Sequence, residues 1–136
     1  MAEYKSKTVV LDRPQMSLFA AFTNLEAILA AVPADKRQDI VVEGDTVRAT
    51  YAGFTIAVCI AEKVPVSKVV YKDVEAPFHF SITLHFDPAA LINQTTLWIE
   101  VDADLNFMMR TLLGPKIQEA LDTIVMQLAN GGLIQQ

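Results

Sequence analysis

Apolar residues recur at steps of three and four near the C-terminal end of the chain, between residues 105 and 128. This spacing is typical of a helix with one apolar face, because it places the apolar side chains along the same side. The pattern therefore predicts one long C-terminal helix. Its apolar face consists of Leu105, Met108, Met109, Leu112, Leu113, Ile117, Leu121, Ile124, Val125 and Leu128.

A different pattern, with a period of two, runs from about residue 38 to residue 104. Apolar and polar positions alternate there, and the alternation breaks at turn residues. Such alternation is typical of β-strands that bury one face and leave the other to solvent. The region therefore predicts six consecutive antiparallel strands that share one apolar face.

The N-terminal region predicts one strand and two short helices. Residues 4–12 alternate weakly and predict the first strand, and Asp12 has the character of a helix-capping acid. Thr23 and Glu26 have the spacing of a capping box, which predicts a second helix that ends before Pro33.

These elements together predict an α+β fold in a single domain, residues 1–130, with a flexible tail at residues 131–136. We expect a curved antiparallel sheet of about seven strands wrapped around the long C-terminal helix, with two short helices after the first strand. Because the helix must bury its apolar face, it is expected to lie across the sheet, where it can enclose a cavity.

The segment 11–24, LDRPQMSLFAAFTN, resembles the strand-to-helix opening of the START-like superfamily, also called SRPBCC. The order of the elements is similar to the helix-grip arrangement of that superfamily, and Gly114-Pro115 resembles the kink often seen in its gripping helix. Its members include polyketide cyclases, lipid-transfer domains, CoxG-like subunits and pollen-allergen-like proteins. The resemblance implies a helix-grip fold and a hydrophobic ligand. It implies no catalytic residue, because the superfamily shares none.

Composition narrows the classes of partner. The net charge is −5, and the 11 lysines and arginines form no cluster, so a nucleic-acid partner is not expected. Although 52% of the residues are hydrophobic, no apolar run approaches the ~18–20 residues of a membrane span, and stable membrane insertion is not expected. The single Cys59 and the absence of an apolar leader favour a cytoplasmic protein.

The first functional hypothesis is a binder or carrier of a small, neutral hydrophobic molecule, such as a lipid, an isoprenoid or a polyketide. Apart from Asp73, which shares the alternation of Tyr71, the inward rows carry no charged residue, and adaptable methionines suit a pocket that accepts varied ligands. A fully packed core would produce the same apolar face, so this alternative stays open. No cofactor or metal is expected. The predicted ligand contacts are Phe22, Tyr51, Phe54, Tyr71, Phe80, Ile99, Met108, Met109 and Leu112.

The second hypothesis is an enzyme of the cyclase or hydratase type. Such chemistry requires a proton donor or acceptor inside the cavity, and Tyr51, Tyr71 and Asp73 are the candidates with the inward phase. The alternative is that the tyrosine hydroxyls bond to backbone groups and that Asp73 is solvated.

The two histidines do not indicate a metal site. His79 and His85 alternate with the apolar row and so point to the outer face, about 20 Å apart along an extended strand. If Leu84 pairs with Leu97, His79 lies opposite Asp102, which predicts a cross-strand pair.

Trp98 gives the third hypothesis, a protein-interaction module. It shares the polar phase of its strand, and exposed tryptophans are enriched at interfaces. Trp98 therefore indicates either a homodimer contact through the outer sheet face or a single surface aromatic residue packed on its cross-strand neighbours.

Overall fold

Eight antiparallel strands form one curved, unclosed sheet in the computed structural model, which describes residues 2–31, 39–51 and 54–130. The strand order is β1–β8–β7–β6–β5–β4–β3, and β2 also pairs with β8. The strands are β1 (Ala2–Lys5), β2 (Val9–Leu11), β3 (Ile40–Glu43), β4 (Thr46–Tyr51), β5 (Phe54–Val64), β6 (Lys68–Glu75), β7 (Phe80–Pro88) and β8 (Thr95–Ala103).

Three helices lie against this sheet: α1 (Gln15–Thr23), α2 (Leu25–Ala31) and α3 (Phe107–Ala129). The long helix α3 packs mainly on β1, β2 and β8, whereas α1 packs on β6 and β7 and α2 on β3. The predicted α+β helix-grip layout is thus confirmed. No helix among the described residues has the length and apolar character needed to cross a bilayer. The domain boundary and the flexible tail at residues 131–136 stay predictions, and the tail lies outside the described residues.

The predicted first strand is divided in two. The backbone N–H of Ser6 donates to the carbonyl of Ile99 at 2.8 Å, and the N–H of Ile99 donates to the hydroxyl of Ser6 at 2.9 Å. A side chain thus takes the place of a backbone acceptor, and the regular ladder stops until β2 begins at Val9. The sheet therefore has eight strands instead of about seven.

The predicted capping residues are wrong for both short helices. Helix α1 has no side-chain cap, because its N-cap residue is Pro14, which has no side-chain acceptor, and the Asp12 carboxylate accepts a hydrogen bond from Gln94 at 2.6 Å. Helix α2 is capped by Asn24, whose side-chain oxygen accepts from the N–H of Ala27 at 3.1 Å. Thr23 belongs to the end of α1 and bonds back to a carbonyl of that helix.

The register predicted for β7 and β8 is wrong by two residues. Leu84 pairs with Ile99 instead of Leu97, so His79 is not opposite Asp102. A shift of two leaves every side chain on its predicted face, because the side chains of a strand alternate with a period of two. The alternation thus predicts the faces correctly, while the pairing depends on the connecting loop.

The core lies between the concave face of the sheet, helix α1 and the C-terminal half of α3. Its largest fully buried side chains are Phe86, Leu18, Leu97, Val69 and Val125. The ring of Phe86 stacks on that of Phe22, with the ring centroids 5.9 Å apart. Leu121, Val125 and Leu128 bury the helix face at the predicted spacing.

Gly114 allows α3 to approach β1 closely. A Cβ atom added at Gly114 would lie 2.9 Å from the hydroxyl oxygen of Tyr4 and 3.4 Å from the nearest ring carbon. Hydrogen bonds from Gln118 to the carbonyl of Lys5 (2.7 Å) and from the N–H of Lys7 to Asp122 (2.8 Å) hold the same two segments together. The glycine therefore sets how near the helix lies to the edge of the sheet.

We expect Gly114→Ala to destabilise the protein by about 1 kcal/mol. Alanine favours a helix by up to ~1 kcal/mol over glycine, but overpacking against Tyr4 costs ~1–3 kcal/mol. In the Tyr4→Phe background the hydroxyl is absent, so the same change should be neutral or stabilising. Urea denaturation of the four variants measures this coupling, and equal effects of Gly114→Ala in both backgrounds would contradict the contact.

Candidate functional site

An apolar cavity lies between α3 and the concave face of the sheet. Its volume is about 240 Å³, and strands β5, β7 and β8 and the middle of α3 form its wall together with the turn before β7. Every side chain on this wall is apolar, so the cavity favours an apolar occupant over water, which needs polar partners. The lining residues are Ile56, Phe78, Phe80, Ile82, Val101, Ala103, Ile117, Ala120 and Leu121.

The cavity reaches the surface beside β5. Ile56 lines the cavity and is 37% exposed, and Ala120 of α3 lines it and is exposed as well. Because α3 packs mainly on β1, β2 and β8, it lies toward one side of the sheet and leaves this passage near β5. The cavity is therefore open to the surface between Ile56 and Ala120.

A second cavity, of about 390 Å³, adjoins the first at the turn between β6 and β7. Phe78 forms part of the wall of both, and its ring lies 5.9 Å from that of Phe80. The second cavity differs from the first because it has polar walls. Its lining residues are Ala76, Pro77, Phe78, His79, Asp104, Leu105, Asn106 and Met109.

Asp73 fixes the turn that separates the two cavities. Its carboxylate accepts hydrogen bonds from the backbone N–H of Phe80 at 2.9 Å and from Nδ1 of His79 at 2.8 Å. The Phe80 bond and then the His79 bond lower the pKa of Asp73, and the Asp73 carboxylate raises the pKa of His79. The pair therefore holds the turn that carries Phe78.

Two of the predicted ligand contacts line these cavities. Phe80 belongs to the wall of the apolar cavity, and Met109 lies in the wall of the polar cavity. Phe22, Tyr71 and Ile99 belong to the buried core and line neither of these cavities.

The other four predicted contacts lie elsewhere. Met108 and Leu112 are 70% and 63% exposed and line neither cavity, and they form an exposed apolar surface with Phe107 at the start of α3. The side chains of Tyr51 and Phe54 lie outside the described part of the structure. A ligand-binding role for these four residues stays a prediction.

Most of the apolar cavity wall was missing from the predicted contacts, although the sequence patterns contain it. Ile56, Ile82, Val101 and Ala103 all have the inward phase of their strands, and Ile117 and Leu121 belong to the predicted helix face. Phase alone assigns a side chain to the concave face. It does not say where along that face the packing leaves a void.

Neither described candidate for acid–base chemistry is free. The hydroxyl of Tyr71 donates to the carbonyl of Phe22, and burial raises the pKa of Tyr71. The two oxygens of Asp73 are bonded to Phe80 and His79, and the side chain is only 13% exposed, so this acid is not solvated as one alternative supposed. Both groups hold structural elements together.

Trp98 belongs to a cluster on the convex face of the sheet. Its ring stacks on His85, with the ring centroids 3.8 Å apart and the planes at 8°, and its Nε1 donates to Asp87 at 2.8 Å. His85 Nε2 lies 3.0 Å from a carboxylate oxygen of Glu100. These contacts leave Trp98 half-buried, and a dimer contact through it stays a prediction.

Among the described residues, one group of carboxylates has the spacing of metal ligands. It consists of Glu3, Glu100 and Asp102. Their oxygens lie within 4.8 Å of one another on the convex face. Lys5 pairs with Glu3 at 3.4 Å and offsets part of this charge, and Nε2 of His85 lies 3.0 Å from a carboxylate oxygen of Glu100. Burial, followed by the neighbouring carboxylates, raises the pKa of Asp102.

No protein-family model and no curated protein matches this sequence. The fold is nevertheless similar to solved structures over almost the whole chain. The Aha1 dimer from Colwellia psychrerythraea is 12% identical and has a TM-score of 0.66, with 100% of this chain and 99% of that chain covered. A protein from Deinococcus radiodurans is 12% identical at a TM-score of 0.62, covering 99% and 100% of the two chains.

A protein from Chromobacterium violaceum is 20% identical at a TM-score of 0.58, with 98% of this chain and 97% of that chain covered. At these identities the similarity establishes the fold alone. It fits the helix-grip arrangement, with a sheet wrapped around a C-terminal helix.

Proposed function

We propose that the protein binds or carries a small, neutral hydrophobic molecule, such as a lipid, an isoprenoid or a polyketide, in the apolar cavity between the sheet and α3. The observation that carries this proposal is the wall of that cavity, which contains no polar side chain. Burial of apolar surface there would supply about 25 cal/mol per Å² before the costs of binding.

The size of the cavity supports a small ligand or one part of a larger ligand. A void of about 150 Å³ lined by apolar side chains is known to bind a molecule as large as benzene, and ligand pockets commonly measure ~300–1,000 Å³. The apolar cavity of about 240 Å³ lies between these sizes, and it shares the wall residue Phe78 with the polar cavity. The resemblance to the START-like superfamily supports the same proposal.

An enzyme of the cyclase type is the less favoured function, because Tyr71 and Asp73 are engaged in hydrogen bonds within the fold. A carrier needs no proton donor in its cavity. Cytoplasmic location is likewise proposed from the sequence.

Native mass spectrometry of the purified protein, followed by organic extraction, tests the proposal directly. A reproducible additional mass of a few hundred daltons, recovered as an apolar compound, is the expected result. Protein that carries no such mass and also fails to bind the neutral dye N-phenylnaphthylamine would contradict the proposal.

Filling the mouth of the cavity should weaken dye binding strongly. We expect Ala120→Phe to weaken binding of N-phenylnaphthylamine about tenfold or more, because the added ring occupies the passage beside Ile56 and removes apolar contact worth over ~1.4 kcal/mol. Fluorescence titration measures the affinity.

Ala20→Phe is the matched control, since Ala20 is exposed on α1 and lines neither cavity. It should bind the dye like the unmodified protein. Equal affinities for the two variants, at equal melting temperatures, would show that the dye binds elsewhere.

A further inference from the structure

We propose that the ligand is amphipathic: its apolar part occupies the cavity against α3, and a hydroxyl head group lies in the adjoining polar cavity between Asp104 and Asn106. The inference rests on the proposed function and specifies the chemical class of the ligand. It excludes an anionic head group such as a fatty-acid carboxylate.

The two cavities share one wall residue, Phe78, and their linings differ on either side of it. The apolar wall includes Phe80, whose ring centroid lies 5.9 Å from that of Phe78, whereas the other cavity is lined by His79, Asp104 and Asn106 as well. A molecule that extends past Phe78 therefore leaves an apolar surface and meets polar side chains. An entirely apolar molecule lying against those polar groups would displace water from them without replacing its hydrogen bonds.

The polar cavity offers both an acceptor and a donor for a hydroxyl group. Within the described residues, the carboxylate of Asp104 accepts no hydrogen bond and is exposed. The side-chain oxygen of Asn106 accepts from the N–H of Met109 at 2.8 Å, which orients the amide and leaves its nitrogen as a donor. A hydroxyl donates one hydrogen bond and accepts others, so it can satisfy both groups at once.

The charges around this cavity disfavour an anion. The carboxylate of Asp104 lines this cavity, and that of Asp73 bonds to the lining residue His79, which is the cationic group that can offset both carboxylates when it is protonated. The N-terminus of α3 contributes a partial positive charge, but its cap at Asn106 already engages the N–H of Met109. A carboxylate head group would therefore meet a net negative site and would lack a partner for Asp104.

Two probes with the same apolar chain, 1-octanol and octanoate, test the head-group assignment by isothermal titration at neutral pH. Any apolar cavity prefers the alcohol to the ion, so the preference itself does not test the role of Asp104. The test is how the preference changes when Asp104→Asn removes the charge. We expect the ratio of the two affinities to fall about three- to tenfold, the difference between a hydrogen bond to a charged acceptor and one to the neutral asparagine oxygen.

Asp102→Asn is the matched control. It makes the same chemical change two residues earlier, where Asp102 of β8 pairs with Ser81 and lies beside Glu3 and Glu100 on the convex face, and Asp102 lines neither cavity. Salt at physiological concentration screens exposed charges beyond about 8 Å, which limits its effect on a bound head group. We expect this variant to keep the unmodified ratio.

Three other outcomes are separable. If Asp104→Asn leaves the ratio of the octanol and octanoate affinities unchanged, or if Asp102→Asn reduces it equally, the head-group assignment is overturned. Binding of 1-octanol would still support the hydrophobic-ligand function in that case. Tighter binding of octanoate than of 1-octanol also overturns the assignment. Failure of both probes and of N-phenylnaphthylamine to bind removes the proposed function itself, and the assignment with it.

Discussion

Truncation of Phe86 to alanine is expected to lower the free energy of unfolding by about 3–5 kcal/mol, the range for a buried phenylalanine. Phe86 is fully buried on the concave face of β7, and its ring stacks on Phe22 of α1. The variant would lose both the transfer of the ring from water and the contact that holds α1 against the sheet. Since small domains have only ~5–15 kcal/mol of stability in total, this loss should be visible as a large fall in the urea midpoint.

Phe107→Ala provides the matched comparison. Phe107 begins α3 and is 78% exposed, so its truncation should change the free energy of unfolding by no more than ~0.5 kcal/mol. Equal losses in the two variants would contradict the assignment of Phe86 to the core and of Phe107 to the surface.

The second large effect concerns the hydroxyl of Tyr71. We expect Tyr71→Phe to destabilise the protein by about 1–3 kcal/mol at neutral pH, because it leaves the carbonyl of Phe22 without its donor in a buried site. That carbonyl belongs to the last turn of α1, where backbone acceptors lack partners within the helix. The loss should therefore appear as weaker attachment of α1 to β6.

The dependence of this effect on pH follows from burial, which raises the pKa of Tyr71 in the folded state. Above about pH 10 the tyrosine of the unfolded chain ionises while the buried one stays protonated, so the folded state loses ~1.4 kcal/mol per pH unit. The Tyr71→Phe variant does not lose stability in this way, because phenylalanine does not ionise. The stability difference between the two proteins should therefore narrow as the pH rises above ~10.

Urea denaturation of both proteins between about pH 9 and about pH 11, on either side of the ordinary tyrosine pKa, measures the narrowing. Other groups that titrate in this interval are common to both proteins and cancel in the difference. A difference that stays constant over the interval would contradict the burial of the hydroxyl.

The sequence predicts well which face of a strand or helix a side chain occupies, because this depends on local periodicity. Phe80, Leu84 and Phe86 of β7 share the concave face as their alternation predicts, and Leu121 and Leu128 of α3 are buried at the predicted spacing. These assignments need no knowledge of the remainder of the chain.

The sequence predicts the register of paired strands and the capping residues of helices poorly, because both depend on partners distant along the chain. The carboxylate of Asp12 could cap a helix, but Gln94 competes for it across the fold. The pairing of Leu84 with Ile99 instead of Leu97 follows from the extension of β7 to Pro88 and the start of β8 at Thr95. A shift of two residues leaves no trace in an alternating pattern.

The candidate site is the hardest part to predict, since a cavity is a property of packing. Ile99 and Val101 are neighbours on the same face of β8, yet Val101 lines the apolar cavity and Ile99 does not. Both are apolar and of similar size. The difference arises from where α3 lies, which the contact of Gly114 with Tyr4 helps to set.

The pairing of β1 and β2 with β8 has a consequence for synthesis of the chain on the ribosome. Residues 2–11 find their partners only when residues 95–103 have emerged, roughly ninety residues later. At ~5–20 residues per second, this interval lasts several seconds, during which the first segment has no ladder to join. Closing so long a loop also places the pairing among the slow, non-local steps of folding. We therefore expect the nascent N-terminal segment, with its apolar Val9, Val10 and Leu11, to stay unpaired and open to chaperone binding until β8 has been synthesised.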